Sequence, residues 1–180
     1  METTKVKTTW AIDPTHSELT FKVKHLMITN VKGEFRQFNV SLESDGNNFA
    51  NAKVIATANA DSIDTNNTDR DNHLKSADFF DATAHKQLKF EGITVKKSDE
   101  IYQLIGGLTI KGKTNQVVFD VEFGGLVTDP YGNKKAGFSF SGKINRKDWG
   151  LNWNAALETG GVMVSEEVRI YGEAQFVREK

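Results

Sequence analysis

"SELTFKVKH", residues 17–25, alternates apolar and polar residues at a period of two. Leu19, Phe21, Val23 and His25 fall on one face; Glu18, Thr20, Lys22 and Lys24 fall on the other. Successive side chains of a strand point to opposite faces, so the stretch reads as an antiparallel strand with one buried and one wet face. The pattern recurs down the chain. In "VVFDVEF" (117–123), Val117, Phe119, Val121 and Phe123 alternate with Val118, Asp120 and Glu122. In "GFSFSGKIN" (137–145), Phe138, Phe140, Gly142 and Ile144 alternate with Ser139, Ser141, Lys143 and Asn145. In "EVRIYGEAQF" (167–176), Val168, Ile170, Gly172, Ala174 and Phe176 form the apolar face. Further strands are expected at 7–12, 34–43, 50–59, 87–97 and 101–110.

Turn residues separate these runs: "SDGNN" (44–48), "KSDE" (97–100), "KGKTN" (111–115) and "DPYGN" (129–133). Each carries Gly, Asn, Asp or Pro where a hairpin needs them. Gly106 and Gly107 interrupt a strand and predict a bulge or bend. Without repeat, linker or low-complexity segment, residues 1–180 read as one all-β domain of eight strands or slightly more. Such a sheet must close into a barrel or split into a sandwich to hide its edges. An eight-stranded barrel is just wide enough to be packed solid or to hold one small ligand. The inner faces are rich in Phe but include Gly142, Gly172, Ala174, Ala56 and Ala58. Small inward residues leave room, which favours a cavity and leaves a solid core as the alternative.

Composition narrows the function classes. The 180 residues contain no cysteine, which excludes disulfides, zinc–thiolate sites and thiol nucleophiles. The formal charge is −1 and no basic run exceeds two residues, so no nucleic-acid partner is expected. No stretch of 18 apolar residues suggests an integral membrane segment. "METTKVKTTW" lacks the apolar core of a signal peptide; as written the chain reads as cytoplasmic, and as periplasmic if it begins after a removed signal.

Two segments break the period. The first holds "RDNHLKSADFFD" (70–81), preceded by Asp69. Asp69, Asp71 and His73 would share a face on a strand, as metal ligands or a catalytic pair require. On a helix, Asp71 points roughly 200° away from Asp69. Thr68 through Asp71 fits a capping box, with Thr68 as N-cap and both aspartates in the first turn. A short helix over 68–76, with Leu74 and Ala77 toward the core, accounts for these residues without a metal. No nucleophile elbow accompanies His73, and the four histidines lack metal spacing, so neither a catalytic nor a metal site is expected. His25 is the exception among them: it continues an apolar face, and it is the best polar group for a ligand head. The second segment, "RKDWGLNWNAALETGG" (146–161), reads as a loop or helical turn around 149–158.

Four ordered motifs resemble the YceI-like family of polyisoprenoid-binding proteins over nearly the whole chain. They are W-x-I-D-P-x-H-S at 10–17 followed by F-x-V-x-H at 21–25, R-D-x-H-L-x-S-x-D-F-F-D at 70–81, G-x-L-T-I-K-G at 106–112, and the run from Gly137 through "RKDWGL" to Leu151. The chain departs from the family at "DATAHKQLKF", which lacks a proline after the FFD motif, and at Gln116, where another proline is common. The resemblance implies an extended, antiparallel, lipocalin-like barrel with a long apolar lumen. It implies no enzyme activity and no cofactor, a bound isoprenoid or other amphipathic lipid as partner, and homodimers as a possible assembly. On that reading the lumen is lined by Leu19, Phe21, Val23, His25, Phe38, Phe90, Phe119, Phe123, Phe138, Phe140, Ile170 and Phe176. Leu74, Phe79, Phe80 and Trp149 join them from the two aperiodic segments. Without the resemblance these residues would read as an ordinary core.

Overall fold

The computed structural model describes residues 7–155 and 163–180. Eleven strands appear in chain order: β1 (Lys7–Ile12), β2 (Thr20–His25), β3 (Thr29–Phe35), β4 (Phe38–Asp45), β5 (Asn48–Asn59), β6 (Ile63–Asp64), β7 (Gln87–Lys96), β8 (Ile101–Ile110), β9 (Lys113–Thr128), β10 (Lys134–Asn145) and β11 (Val164–Arg178). A helix α1 (Thr68–Lys75) sits between β6 and β7. Every pairing is antiparallel.

The eleven strands make eight staves, because three staves are broken in two. β11 pairs with β2 along its first half and with β1 at its end. β3 and β4 likewise pair with β2 and β1, and β6 and β5 continue the next stave beside them. Taken in order, each stave neighbours the next and the last closes on the first. This is an up-and-down barrel, the arrangement in which sequence neighbours are spatial neighbours and most edges are paired.

The breaks have local causes. Between β1 and β2, Pro14–His16 forms a 3₁₀ turn. Asp13 accepts from the Thr15 N–H and hydroxyl, at 3.0 and 2.7 Å, and bonds His16 Nδ1 at 2.9 Å. The "DPTH" motif therefore closes a turn. The strand expected at 34–43 is interrupted at Arg36 and Gln37. No bulge occurs at Gly106–Gly107: the β7–β8 register runs through them unbroken, Gly106 opposite Gly92. The β9–β10 ladder slips instead at Gly137/Phe138, across from Gly125 at φ 131°.

Helix α1 covers the expected residues, but its N-cap is Asn67, whose side chain accepts from the Arg70 N–H at 3.0 Å. Asp71 does not complete a box with Thr68. It accepts from the Thr65 N–H and hydroxyl, at 2.8 and 2.6 Å, and ties the helix to the segment that leads into it. Leu74 faces the interior, whereas Ala77 lies beyond the helix end and is exposed. The segment expected as a loop or helical turn around 149–158 is entered through a 3₁₀ turn at Arg146–Trp149 and runs on without regular structure through residue 155; residues 156–158 lie outside the described residues. Among the described residues no helix is long and apolar enough to cross a membrane.

Candidate ligand-binding site

The inward face is not filled solid. A cavity of about 580 Å³, within the range of ligand pockets, lies inside the barrel, and its wall is almost wholly apolar. Glycines thin the wall where aromatic rings lie flat against it. Phe21 sits directly opposite Gly33, and Phe140 opposite Gly172. A Cβ on Gly33 would overlap the Phe21 ring, and one on Gly172 would overlap the Glu18 carbonyl oxygen. The small inward residues thus make room in two ways: they shorten their own side chains and let neighbouring rings lie down.

One end of the barrel is sealed by interlocked aromatics. Trp10 and Phe49 are each 1% exposed and their rings lie 5.3 Å apart. Phe49 also meets Phe123 at 5.2 Å and Phe138 at 5.1 Å, and Phe138 meets Phe176. Polar groups in this plug are paired, as burial demands. The indole N–H of Trp10 donates to Ser44 Oγ at 2.8 Å. The Thr94 hydroxyl accepts from the Ala52 N–H and donates to the Phe49 carbonyl.

At the other end the wall turns polar. Lys24, His25, Asp69, Arg70, His73 and Arg146 border the cavity there, with Trp153 and Met163. His73 Nε2 bonds Asp78 Oδ2 at 2.9 Å, and its ring packs edge-on against Phe79 and Trp153, at 5.1 and 4.7 Å. Asp69, Asp71 and His73 do not converge, and among the described residues no group of His, Asp or Glu is arranged to hold a metal.

Arg146 is the most deeply buried charge at this end, 3% exposed. Its Nε donates to the Ser165 carbonyl at 2.9 Å. Its Nη1 donates to the carbonyls of Leu151 and Trp153 at 2.6 and 2.8 Å, and its Nη2 to that of Val164 at 3.2 Å. Burial pulls its pKa below the ordinary guanidinium value, and the Glu166 carboxylate acts in the opposite sense. One side chain thus pins the loop after β10 to the start of β11, as a rigid fork with five donors can.

Of the side chains singled out in the sequence, Leu19, Phe21, Val23, His25, Phe38, Leu74, Phe79, Phe80, Phe90, Phe119, Phe138, Phe140, Ile170 and Phe176 border the cavity. Two do not. Phe123 lies beneath it in the aromatic plug, against Phe49 and Phe138. Trp149 is buried in the wall, where its indole N–H donates to the Leu108 carbonyl at 2.8 Å. Trp153, four residues on, takes the place expected of Trp149. Sequence reasoning also passed over Arg146, Phe35 and Phe49. The two phenylalanines fall within or beside expected strands and were open to the same period-two reading. Arg146 was not, because nothing in a lone arginine signals four carbonyl partners.

A family model for the YceI-like domain matches residues 10–176. A UPF0312 protein of Staphylococcus epidermidis is 46% identical over 170 residues, covering 94% of this chain and 97% of the relative. The YCEI protein of Campylobacter jejuni superposes with a TM-score of 0.75 at 32% identity, over 87% of this chain and 90% of its own. A polyisoprenoid binding domain from Saccharophagus degradans shares the fold, with a TM-score of 0.71 at 12% identity over 94% and 98% of the two chains. Sequence match and barrel geometry agree along almost the entire length, and the chain belongs to the YceI-like domain family.

Proposed function

We propose that the barrel binds an amphipathic lipid, with its chain in the lumen and its head at the polar end, for carriage, storage or sensing. A polyisoprenoid, an isoprenoid quinone or a fatty-acid-like chain fits this chemistry. One observation carries the reading: an apolar cavity closed by an aromatic plug at one end and bordered by His25, His73 and Arg146 at the other. An apolar wall with polar groups at one end is what a chain-like ligand with a polar head needs. The polyisoprenoid-binding neighbour of the same fold supports the assignment. The cavity argues against the alternative of a solid-core domain that only binds protein partners.

The energetics suit a carrier. Burying a 40-carbon chain from water would release roughly 30 kcal/mol at about 0.8 kcal/mol per CH₂, beyond any known complex. A lipid that starts in a bilayer is already out of water, so its net gain on entering the lumen is small and release stays possible. Binding without turnover is the role this chemistry supports. Organic extraction of the purified protein followed by mass spectrometry tests it. A lipid present at near one per chain is the expected result. An empty extract, together with no uptake from detergent micelles, refutes the proposal.

A further inference from the structure

The hairpin joining β2 to β3 has a composition that its backbone does not want. Ile28 N–H bonds the His25 carbonyl, and the two central residues, Leu26 and Met27, have φ of 52° and 64°. Positive φ at both central positions is the pattern of a type I′ turn, which strongly prefers Asn-Gly because side chains crowd the left-handed region. This chain instead places Leu26, Met27 and Ile28 there, 37%, 51% and 77% exposed. Three consecutive large apolar residues at a solvent-facing turn serve neither the turn nor the core.

The outer face behind the turn carries a row of cations, with Glu167 beside it on the side of the turn. Lys32 pairs in register with Lys22, Lys22 with Arg169, and Arg169 with Lys143, so four cations stand in one row across β3, β2, β11 and β10. Like charges directly opposite one another weaken a sheet. Among the described residues only Lys143 of the four has an ion pair, to Glu167 at 3.9 Å. Lys22 lies over the Tyr171 ring. Lys24, exposed, lies between the row and the turn, about 7 Å from Leu26 at the rise of a strand; the row itself is about 13 Å away. The inner face of the same hairpin, Val23, His25 and Val31, borders the polar end of the lumen.

We propose that the Leu26–Ile28 turn is a docking finger for an anionic lipid bilayer. The apolar tip enters the interface while Lys24 and the row behind it meet headgroup phosphates. Apolar insertion combined with basic residues is the pairing that interfacial binding requires. A nucleic acid or another polyanion would use the cations but leave the apolar tip without a role. The finger rests on the lumen reading for its purpose, which is to bring the polar end of the cavity to the membrane that supplies or receives the lipid.

The absence of cysteine permits a clean test. Met27→Cys carrying an environment-sensitive fluorophore is titrated with vesicles of phosphatidylcholine alone or with one-third phosphatidylglycerol, at low and high salt. Expected are a blue shift with the anionic vesicles, at least tenfold weaker binding to the neutral ones, and weakening by salt. In flotation assays, Leu26→Asn/Met27→Gly, which gives the turn the residues it prefers, should bind anionic vesicles at least tenfold more weakly with an unchanged or higher melting temperature. No binding of the parent chain to anionic vesicles, or equal binding by the double variant, overturns the finger. Uptake of lipid from detergent micelles, measured in parallel by mass spectrometry, reports on the lumen independently. Uptake without vesicle binding removes the finger and leaves the lumen reading intact. Vesicle binding without uptake does the reverse.

Discussion

Replacing Arg146 with methionine should cost the fold about 2–3 kcal/mol. The side chain is 3% exposed and donates to four backbone carbonyls, those of Leu151, Trp153, Val164 and Ser165. Methionine keeps much of the apolar stem and supplies no donor. Val164 keeps its bond from Asn154 Nδ2 at 2.7 Å, so three carbonyls lose their Arg146 donor; each one left without a partner costs about 1–3 kcal/mol, and water entering from the cavity can re-satisfy about half of them. Relief from holding a buried cation offsets part of the loss. At about 2–4 °C per kcal/mol for a chain of this size, the melting temperature should fall by about 5–10 °C. Lysine is the sharper comparison. Its single ammonium cannot span four carbonyls, so Arg146→Lys should recover less than half of the loss. Thermal and urea unfolding measure both variants, and hydrogen exchange at the amides of residues 151–155 and 164–166 locates the damage. A methionine variant within 2 °C of the parent, or a lysine variant equal to it, would show that the guanidinium fork does not hold the loop to β11.

Phe21→Asp sets a carboxylate in the cavity wall opposite Gly33, and lipid occupancy measured by mass spectrometry should fall at least tenfold, whereas Phe21→Leu should keep most of it. Occupancy unchanged in the aspartate variant would remove Phe21 from the binding surface. Asn67→Ala removes the helix N-cap and should cost about 1 kcal/mol, or 2–4 °C, while Thr68→Ala should change stability by less than half as much; the reverse order in thermal melts would restore Thr68 as the cap. Hydrogen bonds from Thr15 and then His16 hold the Asp13 pKa below its ordinary value. A lowered carboxyl pKa stabilises the fold above the unfolded value, near 4, and that contribution fades as pH falls through the folded value. The gap in melting temperature between the parent and Asp13→Asn should therefore be full at pH 7 and narrow below about pH 4; a gap constant across that range would rule out the Asp13 linkage.

The period-two pattern carried most of the fold, because a strand leaves no freedom about which side chains share a face. Leu19, Phe21 and Val23, or Phe138 and Phe140, point inward for the same reason that Lys22 and Ser139 point out. The pattern could not tell where along the barrel an inward residue stands. Phe123 is in phase with Phe119, yet Phe119 borders the cavity and Phe123 lies in the plug below it. Where the period stops, so does the inference. Trp149 and Trp153 are equally large and four residues apart in an irregular segment; a hydrogen bond to Leu108 draws the first into the wall and leaves the second at the polar end. The capping box at Thr68 failed for a related reason. Asn67, Thr68 and Asp69 are all competent caps, and the choice was made by Asp71 turning back to Thr65, a contact outside the four-residue pattern.

The two ends of the barrel are built to different standards, and the difference bears on how a lipid would come and go. The plug end interlocks Trp10, Phe49, Phe123 and Phe138, with its buried polar groups paired inside regular strands. Opening it would break several aromatic contacts and the ladder at once. The polar end is held by single devices: the Arg146 fork, the Asn67 cap, the His73–Asp78 bond and a turn with two left-handed non-glycine residues. Each can yield locally without unzipping a stave, and local openings draw on the least stable parts of a fold. A lipid moving between lumen and membrane would pass the polar end. If so, Arg146→Lys should speed exchange of a bound lipid between protein and vesicles more than it weakens equilibrium occupancy, because it loosens the gate and leaves the apolar wall intact. Exchange no faster than in the parent chain, measured by fluorescent-lipid transfer, would place the route elsewhere.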